Sequence, residues 1–373
     1  MSEANPSTTS RTEFLDRIRA FLTILVVLHH SVIMFGGPGG WYLRYETPDG
    51  FEEILFATIC SINQAFFMGF FFLLAGYFSP RSLERKGIPA FLGDRFLRLG
   101  IPILIYGLVL GPATIALAGT ADGVDFGSNF TARLARANFS IGPLWFAEAL
   151  LIFSFLLIGL HLLGLRAKPD AALPNDKSLW TSAILTGVAA FALRLVVPTG
   201  SEVWNLQIGY FASYVVLFFG GCYLAKTKFL EQVPVVLAKR WGWISLAIIP
   251  TFFIYALVAG ATSGKEFNTT GGWNGPSIAY ALWEPFVAWG LILWLLVRFR
   301  ESKRPSKLLS NLAPYAYGIF ILHPPAVVGI GLLVHSLKLP VSVSAFAVTA
   351  VSVAVCYAVT AALLKIPGTK RVL

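Results

Sequence analysis

Charge is scarce in this sequence: Asp, Glu, Lys and Arg make up 13% of 373 residues, about half the share of soluble globular chains. With 56% hydrophobic residues and a mean hydropathy of +0.70, too few charges remain to coat a water-exposed surface. Acidic groups are scarcer than basic ones, 19 against 29, which leaves a formal net charge of +10. The basic residues stand in short clusters between apolar runs, not along one continuous stretch, and this argues against a nucleic-acid partner. Cysteine is also scarce. Cys60, Cys222 and Cys356 sit singly inside apolar stretches, with neither metal-ligand spacing nor an even number, so they read as packing residues and no disulfide framework or metal site is expected. A small-x-small cleavage site is missing after the first apolar run, which ends in Phe-Gly-Gly-Pro (35–38); that run reads as a retained span and not a signal peptide.

Apolar runs are abundant. Ten are long enough to cross a hydrocarbon core of about 30 Å as helix: 18–36, 54–78, 98–119, 143–164, 179–197, 208–226, 241–260, 278–297, 312–335 and 341–363. Segments this apolar must satisfy their own backbone polar groups, which makes helix the assignment. The expected fold is therefore all-α, a polytopic integral membrane bundle of about ten transmembrane helices. Residues 1–17 are expected to be an N-terminal tail, 18–364 the bundle and 365–373 a C-terminal tail, with no soluble domain appended and no internal repeat. An even number of spans puts both termini on one side. Most of the 29 lysines and arginines fall on that side, whereas the opposite loops hold Arg44, Arg133, Arg136, Lys265 and Lys338, and Arg194 lies within a span. The positive-inside rule then predicts cytoplasmic termini.

Ionisable groups inside spans are expensive and each is a candidate for function. Here they are His29, His30, Glu148, His161, Arg194, Glu284 and His323, joined by the polar pair Asn63 and Gln64. Arg19 and His30 are eleven positions apart, which at 100° per residue returns to within about 20° of the same helix face and lifts His30 roughly 16 Å above Arg19. His29 points about 100° away, so the two imidazoles cannot share one role. His30 bonding a neighbouring helix while Arg19 snorkels is the competing reading. Arg95 and Arg98 form an Arg-x-x-Arg pair before the third span, where guanidinium forks at a helix start suit phosphates; basic flanks of this kind also simply anchor topology. His323 is followed by Pro324 and Pro325, which free backbone carbonyls that lipid cannot satisfy. Glu148 and Glu284 fall where either carboxylate could meet a histidine or Arg194, and His161 lies near a span end where it can snorkel.

Several stretches resemble the membrane-bound acyltransferase 3 superfamily, and within it the branch that succinylates osmoregulated periplasmic glucans. Residues 13–30, with ten residues between Arg19 and His30 (Arg-x10-His), resemble the family's first span, and Phe-Phe-Phe-Leu-Leu-Ala-Gly-Tyr-Phe (70–78) its second. Asp-Arg-Phe-Leu-Arg-Leu-Gly-Ile-Pro (94–102), Pro-Leu-Trp-Phe (143–146), Tyr-Gly-Ile-Phe-Ile-Leu-His-Pro (317–324) and Leu-Lys-Ile-Pro-Gly-Thr-Lys-Arg (364–371) are similar to later landmarks. The esterase-like domain that many members carry after the last span is not found, and no motif is recognised between about 165 and 310.

The resemblance implies an O-acyltransferase of a bacterial inner membrane that takes succinyl or acetyl from cytosolic acyl-CoA to a carbohydrate hydroxyl, with no tightly bound cofactor. On that reading Arg19, Arg95 and Arg98 hold the phosphates of coenzyme A, and His30 is general base or acyl-accepting nucleophile. Glu148 orients or stabilises the imidazole, and His323 completes the cavity or binds the acceptor. His29, Asn63, Gln64, Trp145, Arg194 and Glu284 are candidates for the acceptor site or the cavity lining. Partners are then the bilayer, acyl-CoA and a glycan, and no oligomeric state is indicated. A transporter without acyl-transfer chemistry, or a structural bundle whose polar residues only join helices, are the alternatives.

Overall fold

A computed structural model describes residues 12–46, 48–263 and 267–373 of the chain. Residues 1–11 of the expected tail, and Lys265, lie outside them. The elements are α1 (Glu13–Met34), α2 (Phe51–Arg95), α3 (Ile101–Ile105), α4 (Gly111–Gly119), α5 (Phe126–Ala135), α6 (Trp145–Leu162), α7 (Asp176–Val196), α8 (Phe211–Leu224), α9 (Phe229–Gln232), α10 (Val235–Ser263), α11 (Gly275–Arg300), α12 (Lys307–Leu312), α13 (Ala316–Ser336) and α14 (Val341–Leu363). Among the described residues there is no strand beyond one isolated bridge, Val203 to Leu206. The all-helical membrane bundle expected from the sequence is the observed class.

Among the described residues, eight helical stretches are long and apolar enough to span a membrane. All ten apolar runs nevertheless fall on helix. Two of them are fused in Phe51–Asp122, 72 residues, and Ile208–Leu224 is a shorter apolar helix. At 1.5 Å per residue the fused stretch measures roughly 108 Å, over three times the hydrocarbon core of about 30 Å. It is broken at Gly87, whose φ of 74° only glycine adopts without strain. Two five-residue π-helical turns, Phe96–Gly100 and Tyr106–Leu110, follow. Each ends two residues before a proline, Pro102 and Pro112, that cannot donate in the regular ladder. The first helix begins at Glu13 and not at 18, with Glu13 and Asp16 in its first turn complementing the positive helix end.

The chain divides into two compact units. Of the described residues, one comprises 12–18, 64–87 and those of 157–306, the other those of 19–63, 88–156 and 307–373. In the first, α7, α10 and α11 pack through small residues, as helices do where lipid gives no hydrophobic drive. Gly290 lies so close to the Trp241 carbonyl that any side chain there would overlap it, and Ser245 donates to the Val287 carbonyl at 3.1 Å. In the second, α1, α13 and α14 enclose a core that includes Val27, Met34, Phe56, Ile319, Val327 and Val348. Cys60, Cys222 and Cys356 are buried free thiols on α2, α8 and α14. Leu246, Ile254 and Leu257 on α10 remain more than half exposed, an apolar surface that suits lipid and not water.

Candidate active site

The site begins with a missing hydrogen. In a regular helix the Phe320 carbonyl accepts from the N–H four residues on, but residue 324 is proline and has none. The Nδ1 of His323 lies 2.6 Å from that carbonyl. A carbonyl only accepts, so Nδ1 carries the proton and, in the neutral ring, Nε2 carries the lone pair. That Nε2 is 2.9 Å from Nδ1 of His30. With both rings neutral, His30 therefore donates through Nδ1–H, and its own Nε2 holds a lone pair. The hydrogen-bond network thus assigns both tautomers from one proline. His323 is fully buried and His29 nearly so, whereas His30 keeps partial exposure.

Geometry separates the adjacent histidines as the helical spacing predicts. His29 meets the His30 ring edge-on, with centroids 5.7 Å apart and planes at 73°, while His30 alone hydrogen-bonds His323. The indole of Trp41 stacks on His30 at 4.0 Å and 15°. Sequence reasoning missed this residue, which lies in a Gly-rich connection. The loop folds back on the end of α1 through Gly37 N–H to Val32 O at 2.9 Å and Tyr45 N–H to Met34 O at 2.8 Å. Arg44 clamps it by donating to Gly37 O at 3.1 Å. Tyr42, edge-on to Trp41, shares a hydrogen bond with the Tyr106 hydroxyl at 3.1 Å. Tyr45 stacks on His335 at 3.6 Å, and burial pushes its phenol above the ordinary range. His335 also escaped the sequence reading.

Two contacts fix the relative direction of α1 and α13. His30 meets His323, and four residues further along α1, Met34 packs against Gly331, eight further along α13. The helices therefore run the same way. The Tyr317 hydroxyl, at the start of α13, donates to the Arg98 carbonyl at 2.5 Å, the carbonyl that Pro102 leaves without its regular partner. Arg98 is thus held at the end of the unit from which Arg19 also starts, with its side chain exposed. Arg95, one turn earlier, lies over the Phe91 ring at 4.8 Å. Three guanidiniums and the histidine pair occupy one unit, the cations toward one end and the imidazoles roughly 9 Å beyond Tyr317 along α13.

Glu148 sits in the first turn of α6. Phe146, two residues earlier, packs edge-on against Phe320 at 5.9 Å, which brings that turn to the level of the His-Pro break. Trp145 opens the same helix. Asn63 is buried, and its Nδ2 has no hydrogen-bond partner among the described residues. The remaining predicted residues form a separate cluster in the other unit. Arg194 pairs with Glu284, both nearly solvent-free, donates to the Gly209 carbonyl at 3.0 Å, and lies 5.3 Å from the ring centroids of Tyr210 and Tyr280. Glu284 thus takes the arginine of its two expected partners. Gln64 donates to Tyr214 at 3.0 Å. A groove of about 740 Å³ in this unit, lined by Lys177, Ser178, Thr181, Ser182 and Thr186, contains none of the predicted residues.

A histidine pair, one ring buried and one partly exposed, lies between an aromatic loop and a basic end, within a stretch that one family describes almost completely. The acyltransferase domain of the acyltransferase 3 family matches residues 12–361. The chain belongs to that family. Glucans biosynthesis protein C of Salmonella heidelberg (strain SL476) is 27% identical over 198 residues, 50% of this chain and 50% of that protein. The chain thus aligns with about half the length of this curated relative. No solved structure matches. His30, His323, Trp41 and all three arginines lie within the matched stretch.

Proposed function

We propose that this acyltransferase moves a succinyl or acetyl group from cytosolic acyl-CoA to a carbohydrate hydroxyl, in a periplasmic glucan or another envelope glycan. The observation that carries the reading is the His30–His323 pair, in which a partly accessible imidazole presents a lone pair on Nε2 within an apolar bundle. In the reaction the acceptor O–H gives its proton to His30 Nε2 as its oxygen attacks the thioester carbonyl carbon. The tetrahedral intermediate collapses with loss of the C–S bond. Coenzyme A leaves as thiolate and takes the proton back from Nε2, which restores the starting state. His323 spreads the transient positive charge through its hydrogen bond, and Glu148 stabilises it from α6. Arg19, Arg95 and Arg98 bind the donor phosphates at the opposite end from the aromatic loop.

The concentration of lysine and arginine in alternate loops supports a bacterial inner-membrane location with that basic end, and both termini, in the cytoplasm. The likeness to glucans biosynthesis protein C supports a glucan acceptor. The test is release of coenzyme A, with product mass, from purified protein in lipid nanodiscs given succinyl-CoA or acetyl-CoA and glucan oligosaccharides. His30→Ala should abolish transfer with the fold intact, and His29→Ala should be milder. Normal transfer by folded His30→Ala removes the mechanism; no coenzyme A release by the wild type with either donor removes the function and leaves a transporter.

A further inference from the structure

The indole N–H of Trp41 is buried and has no hydrogen-bond partner among the described residues. Buried indole N–H groups ordinarily find one, and each orphan asks for an explanation. Packing does not leave this ring loose. Its plane is held nearly parallel to His30 at 4.0 Å and to His323 at 5.9 Å, and Tyr42 closes its edge at 5.1 Å. Tyr42 is itself tied to Tyr106 and seated against Gly142. A fixed donor with nothing to donate to therefore stands beside the base. Its natural complement is an acceptor that arrives with the substrate.

We propose that Trp41 is a catalytic residue whose Nε1–H donates to the thioester carbonyl oxygen and holds it as it becomes the oxyanion of the tetrahedral intermediate. The proposal rests on the acyl-transfer reading and deepens it. Attack by the acceptor oxygen moves the carbonyl π electrons onto that oxygen, and collapse returns them to carbon as the C–S bond breaks. Trp41 keeps its proton throughout; the proton in flight travels only between the acceptor, His30 Nε2 and coenzyme A. A donor fixed in advance, in a site of low dielectric, pays no reorganisation when the charge develops. Stacking against the imidazole adds a second benefit, because an indole face attracts the imidazolium present at the same moment.

The test compares wild type with Trp41→Phe and with benzothienylalanine at position 41. The second replacement keeps the bicyclic shape and the stack but has sulfur in place of N–H. Steady-state turnover is measured in nanodiscs with succinyl-CoA and glucan oligosaccharides, alongside the thermal unfolding midpoint and the affinity for succinyl-CoA. Both variants should lose on the order of 10²- to 10³-fold in kcat, the range for one oxyanion donor, while KM and affinity for succinyl-CoA stay within about threefold of wild type. Turnover within about threefold of wild type by the benzothienyl protein overturns the proposal even if Trp41→Phe unfolds. Should wild type turn over and His30→Ala be inactive, that failure belongs to Trp41 alone. A wild type that releases no coenzyme A fails the acyl-transfer reading itself.

Discussion

Replacing Pro324 with alanine should make the protein more stable and a poorer enzyme. Alanine restores an N–H aimed at the Phe320 carbonyl, the group to which His323 Nδ1 now donates at 2.6 Å. Removing a proline from a helix interior is worth up to about 3 kcal/mol on propensity grounds. Pro325 remains and the surrounding packing has adapted to the bend, so a gain of about 1–2 kcal/mol is expected. The same N–H competes for the carbonyl that fixes the His323 tautomer. That hydrogen bond is worth about 0.5–1.5 kcal/mol. If His323 turns its proton to Nε2, His30 must accept at Nδ1 and carry its own proton at Nε2, where the base is needed. Losing this bias lowers the productive population, and with it kcat, by roughly 2- to 12-fold at 1.36 kcal/mol per factor of ten. Unfolding midpoints in detergent and steady-state coenzyme A release measure the two effects on one preparation. A variant with a raised midpoint and undiminished kcat would falsify the tautomer argument, and a lowered midpoint would refute the helix accounting.

His323→Leu removes the acceptor for His30 Nδ1–H and should cut kcat by on the order of 10- to 100-fold, since hydrogen bonds to charged groups are worth about 1.5–3 kcal/mol. His323→Gln offers an amide oxygen to the same N–H and should recover part of that loss in steady-state assays; equal losses in both would count against a positioning role. In the other unit, Glu284→Leu leaves the buried Arg194 guanidinium without its partner and should destabilise by about 3–5 kcal/mol in denaturant unfolding. Arg194→Met in the same chain should restore most of the stability; a double variant as unstable as the single one would show that the pair is not what holds α7 to α11.

The bundle was legible because apolar runs of span length permit little but helix, and the face shared by Arg19 and His30 follows from 3.6 residues per turn. The Gly87 break was hidden for a physical reason. Arg81, Arg85 and Lys86 mark departure from the hydrocarbon, and departure from lipid is not departure from helix. His323 stood out as a histidine beside prolines, but the identity of the group that takes the freed carbonyl depends on a rotamer that no spacing encodes. Trp41 gave no signal, since a tryptophan after glycines near a span end reads as an interfacial anchor. Its role depends on a loop that returns across eleven residues to stack on the helix it has just left. Arg194 and Glu284 are 90 positions apart; the sequence narrowed Glu284 to a few partners, and only packing chose among them.

The same device operates twice on α13. Pro102 frees the Arg98 carbonyl and Tyr317 takes it; Pro324 frees the Phe320 carbonyl and His323 takes it. In water such carbonyls would simply be hydrated, and neither tyrosine nor histidine would be constrained. Within hydrocarbon an unmet carbonyl costs several kcal/mol, so the side chain that meets it is held in one orientation by that penalty. Two backbone defects thereby set the directions of Tyr317, at an exposed basic end, and of the buried His323 imidazole, six residues apart on α13, and apolar surroundings enforce the second. On the proposed reading, a donor anchored at the first is presented at a constant depth to the second. Precision at this site comes from the lack of solvent, which is why a soluble surface bearing the same residues would not reproduce it.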